Sequence, residues 1–233
     1  MIIFLGDSFT WGQGLQIPYW IEQGKSIDEI NDLMPPKVAL ESVMDYEADE
    51  YRKTYHFPRL VAKHFNRPYG VKWGNGGNNS DSIHTIQHIH TQIVDPINGI
   101  DYIVVQFTDS QRDINLMNYI KEGKNPDIIL QEHCRNTINK LNNVCKDKNI
   151  KWFGFSWRSD IGNVLEQDFQ DNYIPILYNG NEYNNFNILR DQCEFMFDCT
   201  IDERIRDSHI NALGHEVIAK SIIEKINSDK RIM

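Results

Sequence analysis

The sequence lacks the features of a membrane-spanning or exported chain. No apolar stretch approaches the length needed to cross a bilayer. The apolar start, Met1 to Leu5, is too short for a signal peptide and has no basic residue before it. We therefore expect a cytoplasmic protein without a membrane partner. The abundance of Asn, Ile and Lys is typical of AT-rich genomes, viral ones among them.

Positive charge is also scarce. The chain has 24 Lys and Arg residues against 33 Asp and Glu residues, and its net charge is −9. The densest basic stretch, from Lys146 to Lys151, is interrupted by Asp147. Because such a surface repels phosphate groups, nucleic acid is not an expected partner.

Cysteine is rare and has no metal-binding or redox spacing. No two of the four cysteines are separated by two residues, and four are too few to form a disulfide scaffold in 233 residues. We predict that they are small buried residues. They are Cys134, Cys145, Cys193 and Cys199.

Histidine offers one alternative, a metal site. His84 and His88 lie one helical turn apart, but His90 would face elsewhere and no acidic residue separates the first two. Solvated helix histidines are the favoured interpretation. A dinucleotide fingerprint and a phosphate-binding Gly-Lys-Ser/Thr loop are also missing, so we expect no metal and no cofactor.

The pattern of apolar residues alternates between strands and helices. Such alternation predicts an α/β protein with a parallel sheet covered by helices on both faces. We expect one domain, residues 1–233, with polar insertions at about 13–55, holding one or two short helices, and at 160–200, which is irregular apart from a possible strand at 195–197. The predicted strands are Ile2–Leu5, Val71–Trp73, Tyr102–Phe107 and Ile150–Phe155, and the predicted helices cover about 57–65, 81–93, 126–147 and 212–226.

Two segments carry residues suited to nucleophilic catalysis. Ser8 follows the first strand, and working residues of parallel sheets lie just beyond the carboxyl ends of strands. His209 precedes the last helix, and Asp207, two residues earlier, could accept from its second ring nitrogen. Taken separately, each segment is also compatible with ordinary helix capping.

Taken together, these segments resemble a known family. Gly6-Asp7-Ser8-Phe9-Thr10 near the start, with Asp207-x-His209-x-Asn211 near the end, is similar to the motifs of the SGNH hydrolases, also called the GDSL family. The resemblance implies a flavodoxin-like three-layer α/β/α sandwich, and hydrolysis or transfer of acyl groups. It implies Ser8 as nucleophile, His209 as base and Asp207 as the acid that orients it, in the shorter Asp-x-His spacing.

The resemblance also implies residues that would hold an oxyanion. The amide of Ser8 is one donor, and Gly77, or alternatively Gly76, matches the glycine that follows the second strand. The family's asparagine after the third strand is missing, since Phe107 is followed by Thr-Asp-Ser-Gln-Arg. Its replacement stays open between the three candidates Thr108, Ser110 and Asn78.

Substrate recognition is less defined. Arg112 is a candidate for binding an anionic substrate group, although a surface or structurally paired arginine is the more frequent case. Aromatic residues near the expected rim could stack on sugars, while most aromatics belong to the core. They are Trp11, Tyr19, Trp20, Tyr51, Tyr55, Trp73 and Trp157.

The hypothesis from the sequence is therefore a cofactor-free esterase or deacetylase acting on a small or carbohydrate-linked ester. Two alternatives stay open. One is a non-catalytic module of the same fold for glycan binding or assembly, motivated by the missing asparagine, the displaced Asp207 and the long insertion. The other is an acyltransferase that uses the same residues. The oligomeric state is not indicated.

Overall fold

The computed structural model describes residues 1–34, 45–73, 78–88, 99–192, 202, 204–205 and 209–229. Six strands lie within these ranges: β1 Ile2–Gly6, β2 Tyr69–Trp73, β3 Tyr102–Phe107, β4 Lys151–Ser156, β5 Ile176–Tyr178 and β6 Asn181–Tyr183. The α-helices of the same ranges are α1 Ser8–Trp11, α2 Ile17–Glu22, α3 Ile27–Leu33, α4 Tyr46–Tyr55, α5 Phe57–Phe65, α6 Asn79–Gln87, α7 Leu116–Lys121, α8 Pro126–Asp147, α9 Ser159–Asp168 and α10 Ala212–Ser228.

The first four strands form one sheet in the order β2-β1-β3-β4, and every pairing in it is parallel. In its register Ile2 lies between Tyr69 and Tyr102. The predicted parallel sheet is therefore confirmed. Because the strands run in one direction, the segments that follow β1, β3 and β4 meet at the same edge.

Helices cover both faces of the sheet. Ile2 and Phe4 point to one face and pack against α5 and α10, whereas Ile3 and Leu5 point to the other and pack with α6, α8 and α9. All four side chains are at most 1% exposed, as expected for a parallel strand buried on both sides. The architecture is α/β and compatible with three layers.

The insertion at 13–55 has a small core of its own. Leu15, Ile17, Trp20, Ile30 and Ala48 are buried with one another, and this cluster continues into Trp11 at the end of α1. The sequence predicted one or two short helices here, whereas the described part of the insertion contains α2, α3 and α4. The insertion therefore packs directly against the segment that carries Ser8.

The prediction that residues 160–200 are irregular is wrong for much of the segment. Ser159–Asp168 forms α9, and β5 and β6 pair as an antiparallel hairpin. Ile161, Val164 and Leu165 have the spacing of one helix face and are buried. Gly162 hides this pattern in the sequence, since glycine is a poor helix former. The possible strand at 195–197 lies outside the described residues.

No described helix has both the length and the apolar character required to span a bilayer.

Gly162→Ala tests the packing of α9. Alanine normally stabilises a helix interior relative to glycine, but here a Cβ atom would lie 2.1 Å from the backbone oxygen of Asn184. We expect the free energy of unfolding to fall by about 1–3 kcal/mol, measured by urea denaturation. Gln167→Ala, at an exposed position of the same helix, should change it by less than about 0.5 kcal/mol. A stabilised Gly162→Ala variant would contradict this packing.

Candidate active site

Ser8 is the first residue of α1, directly after β1, as the sequence predicted. Asp7 caps this short helix, and its Oδ1 atom accepts the Phe9 N–H at 3.0 Å. Gly6 is required by a close approach, because a Cβ atom there would lie 2.1 Å from Thr10 Oγ1. The turn therefore brings Ser8 out of the sheet within two residues of the end of β1.

His209 precedes α10 and faces Ser8. Its Nε2 atom lies 2.7 Å from Ser8 Oγ, a hydrogen-bond distance between residues 201 positions apart. Asn211 caps α10 by accepting the Gly214 N–H at 3.2 Å, which sets where this helix begins. The structure thus brings together the nucleophile and the base that the sequence predicted.

A stack of aromatic rings supports the imidazole. The Phe9 ring lies 4.5 Å from the His209 ring and 4.0 Å from Trp157, which in turn stacks on Phe186 at 5.2 Å. Trp157 follows β4, so this stack joins the ends of two strands to His209. The sequence motifs do not mark Phe9 as a neighbour of His209.

Arg112 is paired within the protein. Its Nη1 atom lies 3.3 Å from Asp7 Oδ2, while 41% of its side chain remains exposed. The Asp7 carboxylate is almost fully buried beside Ser8, and such a charge needs a partner. Arg112 is thus a structurally paired arginine, which is the more frequent case expected from the sequence. Arg112 therefore offsets the negative charge of Asp7, the residue before Ser8.

The candidates for the third oxyanion donor lie in different environments. Ser110 is fully buried, and its Oγ atom lies 3.0 Å from Cys134 Sγ under α8. This inward position does not support the Ser110 hydroxyl as a donor to substrate. Thr108 is also buried, at 1% exposure. Asn78 caps α6 through Oδ1, which accepts the Asp81 N–H at 2.8 Å, and its Nδ2 group is the part that could still donate.

Asn79, which the sequence analysis did not single out, joins the loops after β2 and β3. Its Oδ1 atom accepts the Thr108 N–H at 2.9 Å, and its Nδ2 donates to the Thr108 carbonyl oxygen at 3.4 Å. Asp113 accepts the backbone N–H groups of Asn79 and Ser80, both at 3.2 Å. Burial opposes ionisation of Asp113, but hydrogen bonds from His133 and Ser80 outweigh it and lower its pKa.

Three residues predicted for the site lie outside the described part of the chain. They are Asp207, the predicted partner of His209, and Gly77, the predicted oxyanion glycine, together with its alternative Gly76. Their roles stay predictions.

Most of the other candidates belong to the core or to the surface. Trp11 and Trp20 are buried at 7% and 2% exposure, and Cys134 and Cys145 are buried free thiols, as predicted. Tyr19, Tyr51 and Tyr55 form a half-buried ring cluster on the insertion. Cys193, Cys199 and His90 lie outside the described residues, and the side chain of Trp73 is not among those described.

His84 and His88 are exposed, with ring centres 4.4 Å apart. Within the described ranges, no three His, Cys, Asp or Glu side chains are grouped so that they could hold a metal ion.

Two buried histidines lie behind the site. His215 Nδ1 accepts the Phe57 N–H at 3.1 Å, so the neutral ring carries its proton on Nε2. Burial lowers the pKa of His215 to about 3, and the nearby His209 contributes to the shift. Burial likewise holds the pKa of His56 well below its usual value. Both rings are therefore neutral in the folded protein near pH 7.

No protein-family model, curated protein or solved structure matches this chain. The geometry of the site and the motifs of the sequence therefore carry the functional argument.

His215→Gln tests the cost of keeping a histidine buried and neutral. The pKa of His215 falls from 6.5 in the unfolded chain to about 3 in the folded one. The unfolded state thus binds more protons between these pH values, and stability falls as the pH drops through this window. In His215→Gln the side-chain amide can still accept the Phe57 N–H. We expect the free energy of unfolding of this variant, measured by urea denaturation, to fall less steeply with decreasing pH than that of the wild type.

His64→Gln is the matched control, because His64 is an exposed histidine of α5. This variant should keep the pH dependence of the wild type. If the free energy of unfolding of His215→Gln depended on pH as steeply as that of the wild type, His215 would not be the source of this dependence. His56 is expected to account for the pH dependence of stability that remains in His215→Gln.

Proposed function

We propose that the chain is a serine-dependent ester hydrolase of the SGNH type. The observation that carries the proposal is the 2.7 Å contact between Ser8 Oγ and His209 Nε2 at the carboxyl edge of a parallel sheet. The strand order β2-β1-β3-β4 follows the flavodoxin-like pattern and supports the same fold. The Gly6-Asp7-Ser8 and Asp207-x-His209 motifs add the family resemblance.

In the proposed acylation step, Ser8 Oγ attacks the ester carbonyl carbon while His209 Nε2 takes the hydroxyl proton. The carbonyl oxygen becomes an oxyanion, for which the N–H of Ser8 and that of Gly77 are the proposed donors. Collapse of this intermediate breaks the bond to the alcohol, which leaves with the proton from His209. The acyl group remains on Ser8.

In the proposed deacylation step, His209 removes a proton from water while the water oxygen attacks the acyl carbon. The bond from the acyl carbon to Ser8 Oγ then breaks, His209 returns the proton to Ser8 Oγ, and the acid is released. A histidine that accepts at Nε2 carries its own proton on Nδ1, which needs an acceptor. Asp207 is proposed for that position. The Phe9 ring, whose centre lies 4.5 Å from that of His209, limits the rotation of the imidazole during both steps.

The proposed substrate is a small or carbohydrate-linked acyl ester. Leu213, four residues after His209 in the chain, is an exposed apolar side chain at 42% exposure. No described feature distinguishes water from a sugar hydroxyl as the final acceptor. Transfer would be recognised by product formation that rises when an acceptor sugar is added, and hydrolysis by product formation that does not.

Labelling with a fluorophosphonate probe tests the proposal. The wild type should react at one serine, and Ser8→Ala should abolish labelling. His209→Ala should slow it about 10⁴-fold or more, because the hydroxyl loses its base. Ser159→Ala and His84→Ala, which change exposed residues, serve as controls and should label like the wild type. A well-folded wild type without labelling would favour the non-catalytic module.

Phe9→Ala tests the role of the ring stack. Loss of the ring leaves His209 without its neighbour at 4.5 Å, and the imidazole can then rotate away from Ser8. We expect the labelling rate constant to fall about tenfold, because misplacement of a catalytic group by a fraction of an ångström is costly. Phe9→Tyr, which keeps the ring, should retain most of the rate. Equal rate constants for Phe9→Ala and wild type would refute this role.

A further inference from the structure

The helix that carries Ser8 is too short to be stable by itself. α1 spans four residues, and isolated helices need more than about 12 residues to be even marginally stable in water. Gly12 ends it in a left-handed conformation with φ of 86°, and the N–H groups of Gly12 and Gln13 both donate to the Ser8 carbonyl oxygen. Partners from outside α1 must therefore hold this turn.

Arg52 of α4 is such a partner. Its Nη1 atom donates to the Trp11 carbonyl oxygen at the end of α1, and its guanidinium carbon lies 4.1 Å from the centre of the Trp11 ring. Asp49, one turn earlier on α4, accepts from Nη2 at 2.6 Å and from Nε at 3.2 Å. Arg52 thus fixes both the backbone and the side chain of the last residue of α1.

Burial makes these contacts specific. Arg52 is 3% exposed, and a buried guanidinium is costly unless its donors are paired. The planar guanidinium can stack on an indole and donate at the same time, which a lysine ammonium cannot do. The packing around Gly12 is equally close, since a Cβ atom there would lie 3.0 Å from His56 Cβ and 3.8 Å from Arg52 Cγ.

Arg52 belongs to the insertion, and the residues it holds lie next to the proposed nucleophile. Trp11 is three positions after Ser8, and the Trp11 N–H donates to the Asp7 carbonyl oxygen at 3.2 Å. Any displacement of Trp11 is therefore transmitted to the residue before Ser8 through one hydrogen bond. Displacement of this turn would move Ser8 Oγ relative to His209.

We propose that Arg52 is a positioning residue for Ser8. Through its hydrogen bond and ring contact with Trp11, it keeps the nucleophile within hydrogen-bond reach of His209. The inference rests on the proposed function and gives the 13–55 insertion a role in it. Arg52 itself does not touch the reacting atoms. Its contribution is to hold α1 at a fixed distance and angle from α10.

The competing explanation is that Arg52 only helps the insertion to fold. The two explanations differ in what a substitution changes. Loss of folding lowers the fraction of molecules that react with the fluorophosphonate probe but leaves their rate constant unchanged. Loss of positioning lowers the rate constant while each folded molecule still reacts once.

The experiment measures both quantities for the wild type, Arg52→Ala and Arg52→Lys. We expect a labelling stoichiometry near one per folded molecule and rate constants that fall by about 10- to 100-fold, the size typical of a misplaced catalytic group. Arg52→Lys can keep the ion pair with Asp49 but loses the planar stack on Trp11. If Arg52→Ala does not fold, the rate constant of Arg52→Lys decides between positioning and folding.

Arg59→Gln is the matched control. Arg59 lines the same groove as Arg52 and also pairs with an acid, Glu50, at 3.2 Å, but no described contact joins it to Trp11. The variant removes one positive charge from the groove and should label at the wild-type rate. A comparable loss of rate in Arg59→Gln would assign the effect to charge and overturn the positioning role.

Chemical rescue adds a second readout. Arg52 lines an open groove of about 610 Å³, so that a small cation can reach the space left by Arg52→Ala. Millimolar methylguanidinium should restore part of the labelling rate of Arg52→Ala and have no effect on the wild type. Tetramethylammonium, which cannot donate a hydrogen bond, should not restore it.

The outcomes separate the two proposals. A wild type that labels, with Arg52 variants that label at the same rate constant, overturns the positioning role and leaves the esterase intact. Arg52 variants with reduced stoichiometry but unchanged rate constants have the same meaning. A folded wild type that does not label at all overturns the proposed esterase and, with it, the role of Arg52.

Discussion

The hydrogen bond between Ser8 and His209 connects the turn after β1 with the segment just before α10, 201 positions away. Neither residue can set this distance alone, because each side chain is attached to a different element. Ser8 is held by β1 and α1, and His209 by the start of α10. The 2.7 Å contact therefore depends on how the parallel sheet, the helices packed on it and the insertion hold these two segments together.

The residues next to Ser8 in the chain do not fix its position by themselves. Asp7 caps α1 and is itself neutralised by Arg112, while Arg52 holds the other end of the helix. On the His209 side, Phe9 and the rings behind it hold one face of the imidazole. Asp7 and Arg52 are buried, where a charged group costs stability unless its hydrogen bonds are made.

The sheet and its long helices could be predicted from the sequence. Tyr102–Phe107 and Pro126–Asp147 have the predicted bounds, since a buried strand and an amphipathic helix each leave a clear apolar pattern. The apolar pattern is weaker where a glycine interrupts it, and the sequence therefore did not predict α9, which contains Gly162. Ser110 was a plausible donor by position, but the register of the segment after β3 turns it inward to Cys134.

The sequence by itself determined the strand–helix alternation, the buried parallel sheet and the identity of Ser8 and His209 as a candidate pair. The alternation and the sheet follow from local periodicity, and the candidate pair follows from residue types at helix starts together with the family resemblance of their motifs. Only the tertiary structure decided that the two meet, that the Phe9 ring contacts His209, that Arg112 pairs with Asp7, and that Arg52 reaches Trp11. Such contacts join residues far apart in the chain, and their distances depend on the packing of whole elements, which local sequence patterns do not contain.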